Sequence, residues 1–222
     1  MFDGIVERYD LLNRLMSLGL DGAWRRAAVR SIALQHGDPV LDLGCGTGDL
    51  LRLLAPAPSP AVAAEGIPVG VDVSEGMLRR ARSRLGNRAG LVRGSAFELP
   101  FRDSAFRGAV SAFVLRNLKD LEGAMAELAR VLAPGARIGL LDATEPPGWL
   151  RPAFDVYFRL AAPALGALAG HRNAYQYLAS SLVQIPSRAD MCRLLEAAGF
   201  QHCAAHPLSF GVVTLFTGTK RP

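Results

Sequence analysis

Short apolar runs alternate with amphipathic stretches through the middle of the chain. Pro39-Val40-Leu41-Asp42-Leu43 is an apolar run entering a glycine cluster and reads as a buried strand. Asp49 to Ala55 has helical composition, and Val69-Gly70-Val71-Asp72 is a second short strand. Ser74 then opens a helix as N-cap, with Glu75 in the first turn. Leu91-Val92 and Ala109 to Phe113 are strand-like, Leu118 to Leu132 is an amphipathic helix, and a Pro134-Gly135 turn leads into a strand from Arg137 to Asp142. This alternation predicts an α/β fold with a Rossmann-like, doubly wound, mostly parallel sheet.

The flanks break the rhythm. Residues 1–36 read as an N-terminal helical cap, with Tyr9, Leu12, Leu15 and Met16 at helical spacing and an apolar-basic run from Trp24 to Leu34. Beyond the 37–148 core, residues 149–186 read as lid helices inserted after the fifth strand. Residues 187–222 read as a helix followed by strands near 201–207 and 211–218, giving the sheet an antiparallel C-terminal edge. Pro56-Ala57-Pro58-Ser59-Pro60 is too proline-rich for helix or inner strand and marks a surface loop. No repeat or internal boundary interrupts the pattern, so residues 1–222 are expected to form a single domain.

Composition narrows the function. With 222 residues, half of them apolar, the chain can build one full-sized core. The net charge of +5 comes from scattered arginines and from clusters at helical spacing (Arg25, Arg26 and Arg30; Arg79, Arg80, Arg82 and Arg84), which read as solvated helix faces. No aromatic residues interleave them, which argues against a nucleic-acid platform. Cys45, Cys192 and Cys203 have neither metal-ligand nor disulfide spacing, so no metal is expected and a reducing, cytoplasmic setting fits. Met1-Phe2-Asp3 leads into a polar segment unlike a secretory leader. The most apolar stretch, Leu160 to Gly170, is far short of the roughly 20 residues of a membrane span.

The chemistry concentrates in Asp42-Leu43-Gly44-Cys45-Gly46-Thr47-Gly48-Asp49. Glycines here allow a tight strand-to-helix turn and let backbone approach a ligand closely. Their spacing is G-x-G-x-G rather than the G-x-G-x-x-G of dinucleotide binding, which disfavours a pyrophosphate and a nicotinamide oxidoreductase. S-adenosylmethionine, with its amino acid and sulfonium cation, suits exposed backbone groups beside Asp42. Asp72 ends the second strand, where a carboxylate accepts from both ribose hydroxyls. Val73 follows it, and Met77, one helical turn on, packs either against adenine or simply in the core.

These motifs and several others resemble the C-methyltransferases of ubiquinone and menaquinone biosynthesis over nearly the whole chain. The N-terminal signature runs from Met1-Phe2-Asp3 through Arg8-Tyr9-Asp10 to Gly19-Leu20-Asp21 and Trp24-Arg25. Leu99-Pro100-Phe101, Leu115-Arg116-Asn117, Arg130-Val131-Leu132-Ala133-Pro134-Gly135, Tyr175-Gln176-Tyr177-Leu178 and Gly211-Val212-Val213 follow in order. The glycine loop is generic to methyltransferases; the N-terminal signature and Leu115-Arg116-Asn117 are specific to this family.

The resemblance implies transfer of a methyl group from S-adenosylmethionine to a ring carbon of a polyprenylated quinol, with demethylmenaquinol favoured over a ubiquinol precursor. It also implies contact with the membrane that holds such lipids, while a homodimer stays open. Another small or lipid-like acceptor, or a non-catalytic cofactor-binding protein, are the alternatives. Ring carbons become nucleophilic when a phenol, with a pKa of about 10, loses its proton. Arg116 is the candidate to stabilise that oxyanion, the alternative being a surface ion pair. Asn117 is the candidate to hold the other oxygen or a relay water. Tyr9 and Tyr177 line the ring or serve as core tyrosines. Gly94-Ser95-Ala96 stands where the family usually has Gly-Asp-Ala, so Ser95 and Ala96 meet adenine without charge assistance. Asp142-Ala143-Thr144-Glu145-Pro146, His171-Arg172-Asn173 and Phe210-Gly211 are further departures, and they bear on the acceptor pocket.

Overall fold

The computed structural model describes residues 14, 17–35, 37–55, 66–152, 154, 156–157 and 185–222. The predicted N-terminal segment before residue 14, the proline-rich loop and most of the 149–186 lid therefore lie outside the described residues, and so do Tyr9 and Tyr177.

Helix α1 (Asp21–Ser31) leads to β1 (Val40–Leu43), α2 (Asp49–Leu54), β2 (Val69–Asp72), α3 (Glu75–Leu85) and β3 (Gly90–Arg93). Then come β4 (Phe106–Ala112), a 3₁₀ turn (Leu115–Asn117), α4 (Leu121–Val131), β5 (Leu132–Ala143), α5 (Arg188–Ala197), β6 (Phe200–Leu208) and β7 (Val213–Lys220). The seven strands lie in the order β3-β2-β1-β4-β5-β7-β6. β1 to β5 are parallel, and β7 runs antiparallel to both β5 and β6. The mostly parallel sheet and its antiparallel C-terminal pairing match the expectation, with the last strand slotted one place inside the edge.

Alternation along the strands sorts side chains to the two faces. Leu41 and Leu43 of β1 face a core built with Met125 and Leu128 of α4 and Met191 and Leu195 of α5. Val40 faces the opposite layer, packing with Ile32 beyond α1 and Leu50 of α2. Asp42 shares the parity of Val40, so it is directed under α1 and α2. Close approach there needs Gly139 on β5, where a Cβ would lie 2.5 Å from Ser31 Oγ and 2.7 Å from the Ala28 carbonyl.

Three helices begin at side-chain caps, each removing one orphan donor of a first turn. Ser74 accepts from the Met77 amide at 3.2 Å, Asp120 from Gly123 at 2.9 Å, and Ser187 from Asp190 at 3.2 Å. The Asp120 cap starts α4 at Leu121 rather than at the expected Leu118, leaving Leu115–Asn117 as a separate turn. Backbone pairing of β5 runs back to Leu132 through the expected Pro134-Gly135 turn, with a register shift against β4.

Candidate active site

At the carboxyl ends of β1, β2 and β4 the connections diverge to either side of the sheet and leave a cavity of about 270 Å³. Ligands bind in open α/β sheets at this kind of switch point. Of the residues expected to hold the cofactor, Asp42, Gly44, Cys45, Gly46, Thr47, Asp72, Val73, Met77, Ser95 and Ala96 all line the cavity. Gly48 does not line it; it sits at the N-cap of α2 with φ at 86°.

The glycine loop is shaped by two different demands. Gly44 has φ at 68°, and a Cβ there would come within 2.5 Å of a Val114 methyl, so glycine is required by crowding as well as by conformation. A Cβ on Gly46 would meet no protein atom within 4 Å, although its φ of 53° also favours glycine. The Gly46 amide donates to Asp72 Oδ2 at 2.9 Å, and the Ser74 amide donates to Asp72 Oδ1 at 2.9 Å. Asp72 thus ties the loop to the end of β2 while still facing the cavity. Arg84, expected on a solvated face, braces the loop from behind: it donates to the Thr47 carbonyl and hydroxyl at 2.9 Å and pairs with Asp49 at 2.8 Å.

Asp42 is buried, and neither carboxylate oxygen has a partner at hydrogen-bonding geometry among the described residues. Burial pushes its carboxyl up to about 8; the positive charge of Arg25 opposes the shift, and neighbouring Asp72 adds to it. Burial and the same two carboxylates also push the Cys45 thiol well above its ordinary range, which keeps it protonated and unreactive. Its sulfur instead fills space beside Gly70, where a Cβ would lie 2.7 Å from Sγ.

The far end of the cavity is bordered by Gly94 to Phe97. Ser95 Oγ accepts from the Phe97 amide at 3.2 Å, which folds this segment into a short turn. Glu127 accepts from the Leu99 amide at 2.7 Å, and Arg130 donates to the Phe101 carbonyl at 2.9 Å and the Leu99 carbonyl at 3.1 Å. The Leu99-Pro100-Phe101 and Arg130 motifs therefore form one clamp that fixes the segment to α4.

Arg116 and Asn117 part company. Asn117 lines the cavity and donates to the Phe113 carbonyl at 3.4 Å. Arg116 is buried outside the cavity lining: it pairs with fully buried Asp142 at 2.6 Å, and its backbone amide donates to the same carboxylate at 3.2 Å. Burial pushes the Asp142 carboxyl up, and Arg116 opposes that shift. The ion pair weighed as the alternative for Arg116 exists, but in the interior rather than at the surface.

Three contributors escaped the sequence reading. Phe97 and Phe113 line the cavity, and Phe113 does so from a φ of 62°, a strained conformation for a bulky residue of the kind that collects at functional sites. Arg25, expected on a solvated helix face, is only 8% exposed and lines the same cavity. The signal for Arg25 was its place in the Trp24-Arg25 signature. Aromatic residues flanking the fourth strand gave no comparable signal. No group of three or more His, Cys, Asp or Glu residues suited to a metal occurs among the described residues.

Comparisons with known proteins identify the family. The family model described as the ubiE/COQ5 methyltransferase family matches residues 1–220. The ubiquinone/menaquinone biosynthesis C-methyltransferase UbiE of Geobacter sulfurreducens is 36% identical over 226 residues, covering 99% of this chain and 87% of that protein. The demethylmenaquinone methyltransferase of Desulfitobacterium hafniense is 37% identical, covering 99% and 88%. Among solved structures, a SAM-dependent methyltransferase from Aquifex aeolicus superposes with a TM-score of 0.60 at 19% identity over 88% of each chain, a likeness of fold. Matched over nearly its whole length by the family model and by its curated relatives, the chain belongs to the ubiE/COQ5 methyltransferase family.

Proposed function

We propose that this chain methylates a ring carbon of a polyprenylated quinol, with S-adenosylmethionine as methyl donor and demethylmenaquinol as acceptor. The observation that carries the reading is the full-length match to relatives named for that chemistry, one of them a demethylmenaquinone methyltransferase. The cavity suits the donor: Asp42 offers two unpartnered buried oxygens for an ammonium group, and Gly46 leaves open space beside its backbone.

The cofactor supplies an electrophilic methyl group on a sulfonium centre. The chain's own residues do the rest. Asp72 receives the ribose hydroxyls, and Ser95, Ala96 and Phe97 border the adenine. Asn117, on the turn after β4, orients a quinol oxygen toward the cavity. Arg116, paired with Asp142 behind the cavity wall, is proposed as a positioning residue that holds the Leu115–Asn117 turn and so presents Asn117 to the acceptor. Tyr9 and Tyr177 are proposed as ring contacts. Positioning of carbon against methyl accounts for most of the rate in such a displacement.

A lipid acceptor calls for a membrane contact, and we place it beside this end of the sheet. Trp149 and Phe210, 71% and 77% exposed, stack edge-to-face at 6.2 Å near the junction of β5 and β7. No described helix is long and apolar enough to cross a membrane, so the contact proposed is peripheral, from the cytoplasmic side.

The test is methyl transfer from labelled S-adenosylmethionine into membrane lipid extracts, with mass analysis of the product. Label in menaquinone supports the proposal. Label in a ubiquinone precursor, in another lipid or in nothing contradicts the acceptor assigned here.

A further inference from the structure

We propose that Arg25 anchors the carboxylate at the amino-acid end of the cofactor, opposite Asp42, which takes the ammonium. The assignment rests on reading the cavity as the S-adenosylmethionine site.

On α1, Asp21, Arg25 and Ala28 recur at intervals of four and three, so they share the stripe that faces the sheet. Burying Arg25 on that stripe brings a guanidinium with five N–H donors into the interior. None of them makes a hydrogen bond to a described residue, and Nε is sealed from solvent without a partner. The ion pairs of Arg25 are long, 3.8 Å to Asp21 and 3.6 Å to Asp49. Asp49 is already taken at 2.8 Å by Arg84. The remaining neighbour is the Phe113 ring, whose centroid lies 5.4 Å from the guanidinium carbon.

Buried polar groups in folded proteins are almost always hydrogen-bonded, and an unpartnered one is costly. Here a buried cation and a buried carboxylate, both unsatisfied, line one cavity without an ion pair of 4 Å or less between them. Two such groups left apart complement a zwitterion. The planar fork of Arg25 matches a carboxylate bidentately, and Asp42 matches an ammonium. A nucleotide phosphate would satisfy Arg25 but meet repulsion from Asp42 and Asp72. An uncharged nucleoside would satisfy neither group.

The experiment is calorimetric titration with two ligands: S-adenosylhomocysteine and its decarboxylated analogue, which keeps the amine and lacks the carboxylate. The wild type should prefer the first by about 10-fold or more, as expected of a charge-assisted pair in a dry site. Arg25→Gln should bind the first as weakly as the second and leave affinity for the second unchanged. The wild-type comparison stands even where the variant does not fold. Equal affinity of the wild type for both ligands would overturn the role of Arg25 alone, as would a preference that survives in Arg25→Gln. Failure of the wild type to bind S-adenosylhomocysteine would overturn the cofactor reading together with this assignment.

Discussion

Asp42 serves binding at the expense of the unliganded fold. An unfolded aspartate titrates near 4, whereas this one is held up at about 8, so the native state keeps a proton that the unfolded state has released. Its burden on stability is therefore absent below about pH 4, grows as pH rises, and is complete above about pH 8. Asp42→Asn removes the burden: the variant should melt higher than wild type near pH 8.5, with the gain shrinking toward pH 5. It should also lose cofactor affinity. Thermal melts at the two pH values and one titration check this, and a gain independent of pH would contradict it. Arg116 presents the opposite case. Arg116→Ala strands Asp142 in the interior, an expected loss of about 3–5 kcal/mol in denaturant unfolding. Arg116→Gln combined with Asp142→Asn should restore stability and, with the Leu115–Asn117 turn held again, most of the turnover. Stability recovered without turnover would contradict the positioning role and show that the charge of Arg116 is itself needed.

Elements whose signals are local were legible in the sequence; those made by strand adjacency were not. The β1-loop-α2 unit, Asp72 and the Ser74 cap are written in consecutive residues, and each lies where its pattern implies. Arg116 meets Asp142 only because β5 lies beside β4, 26 residues on. Arg25 reaches the cavity only because α1 packs over β5 and β7; its spacing puts it on one stripe with Ala28, but only the tertiary packing shows that this stripe meets the site. Likewise, Leu99-Pro100-Phe101 and Arg130 looked like separate motifs until α4 brought them together. That clamp is the prediction for this scale. Arg130→Ala should free the Gly94–Phe101 segment and weaken cofactor binding several-fold while leaving turnover at saturating cofactor close to wild type. A fall in turnover with unchanged affinity would count against a purely supporting role.

For the molecule as a whole, sheet order decides where chemistry can happen. The reversal between β1 and β4 gathers the glycine loop, Asp72 and Asn117 at one end of the sheet, and the exposed Trp149–Phe210 pair sits at that same carboxyl end. A net charge of +5 favours an anionic lipid surface. Replacing Trp149 and Phe210 by serine should cut sedimentation with anionic vesicles while leaving cofactor affinity intact; unchanged sedimentation would remove the proposed contact. The most direct test of the whole account is a crystal structure with S-adenosylhomocysteine bound. It should show both ribose hydroxyls within hydrogen-bonding distance of the Asp72 carboxylate and the adenine against Ser95 and Phe97. A nucleoside bound elsewhere, with no ribose hydroxyl at the Asp72 carboxylate, would contradict it.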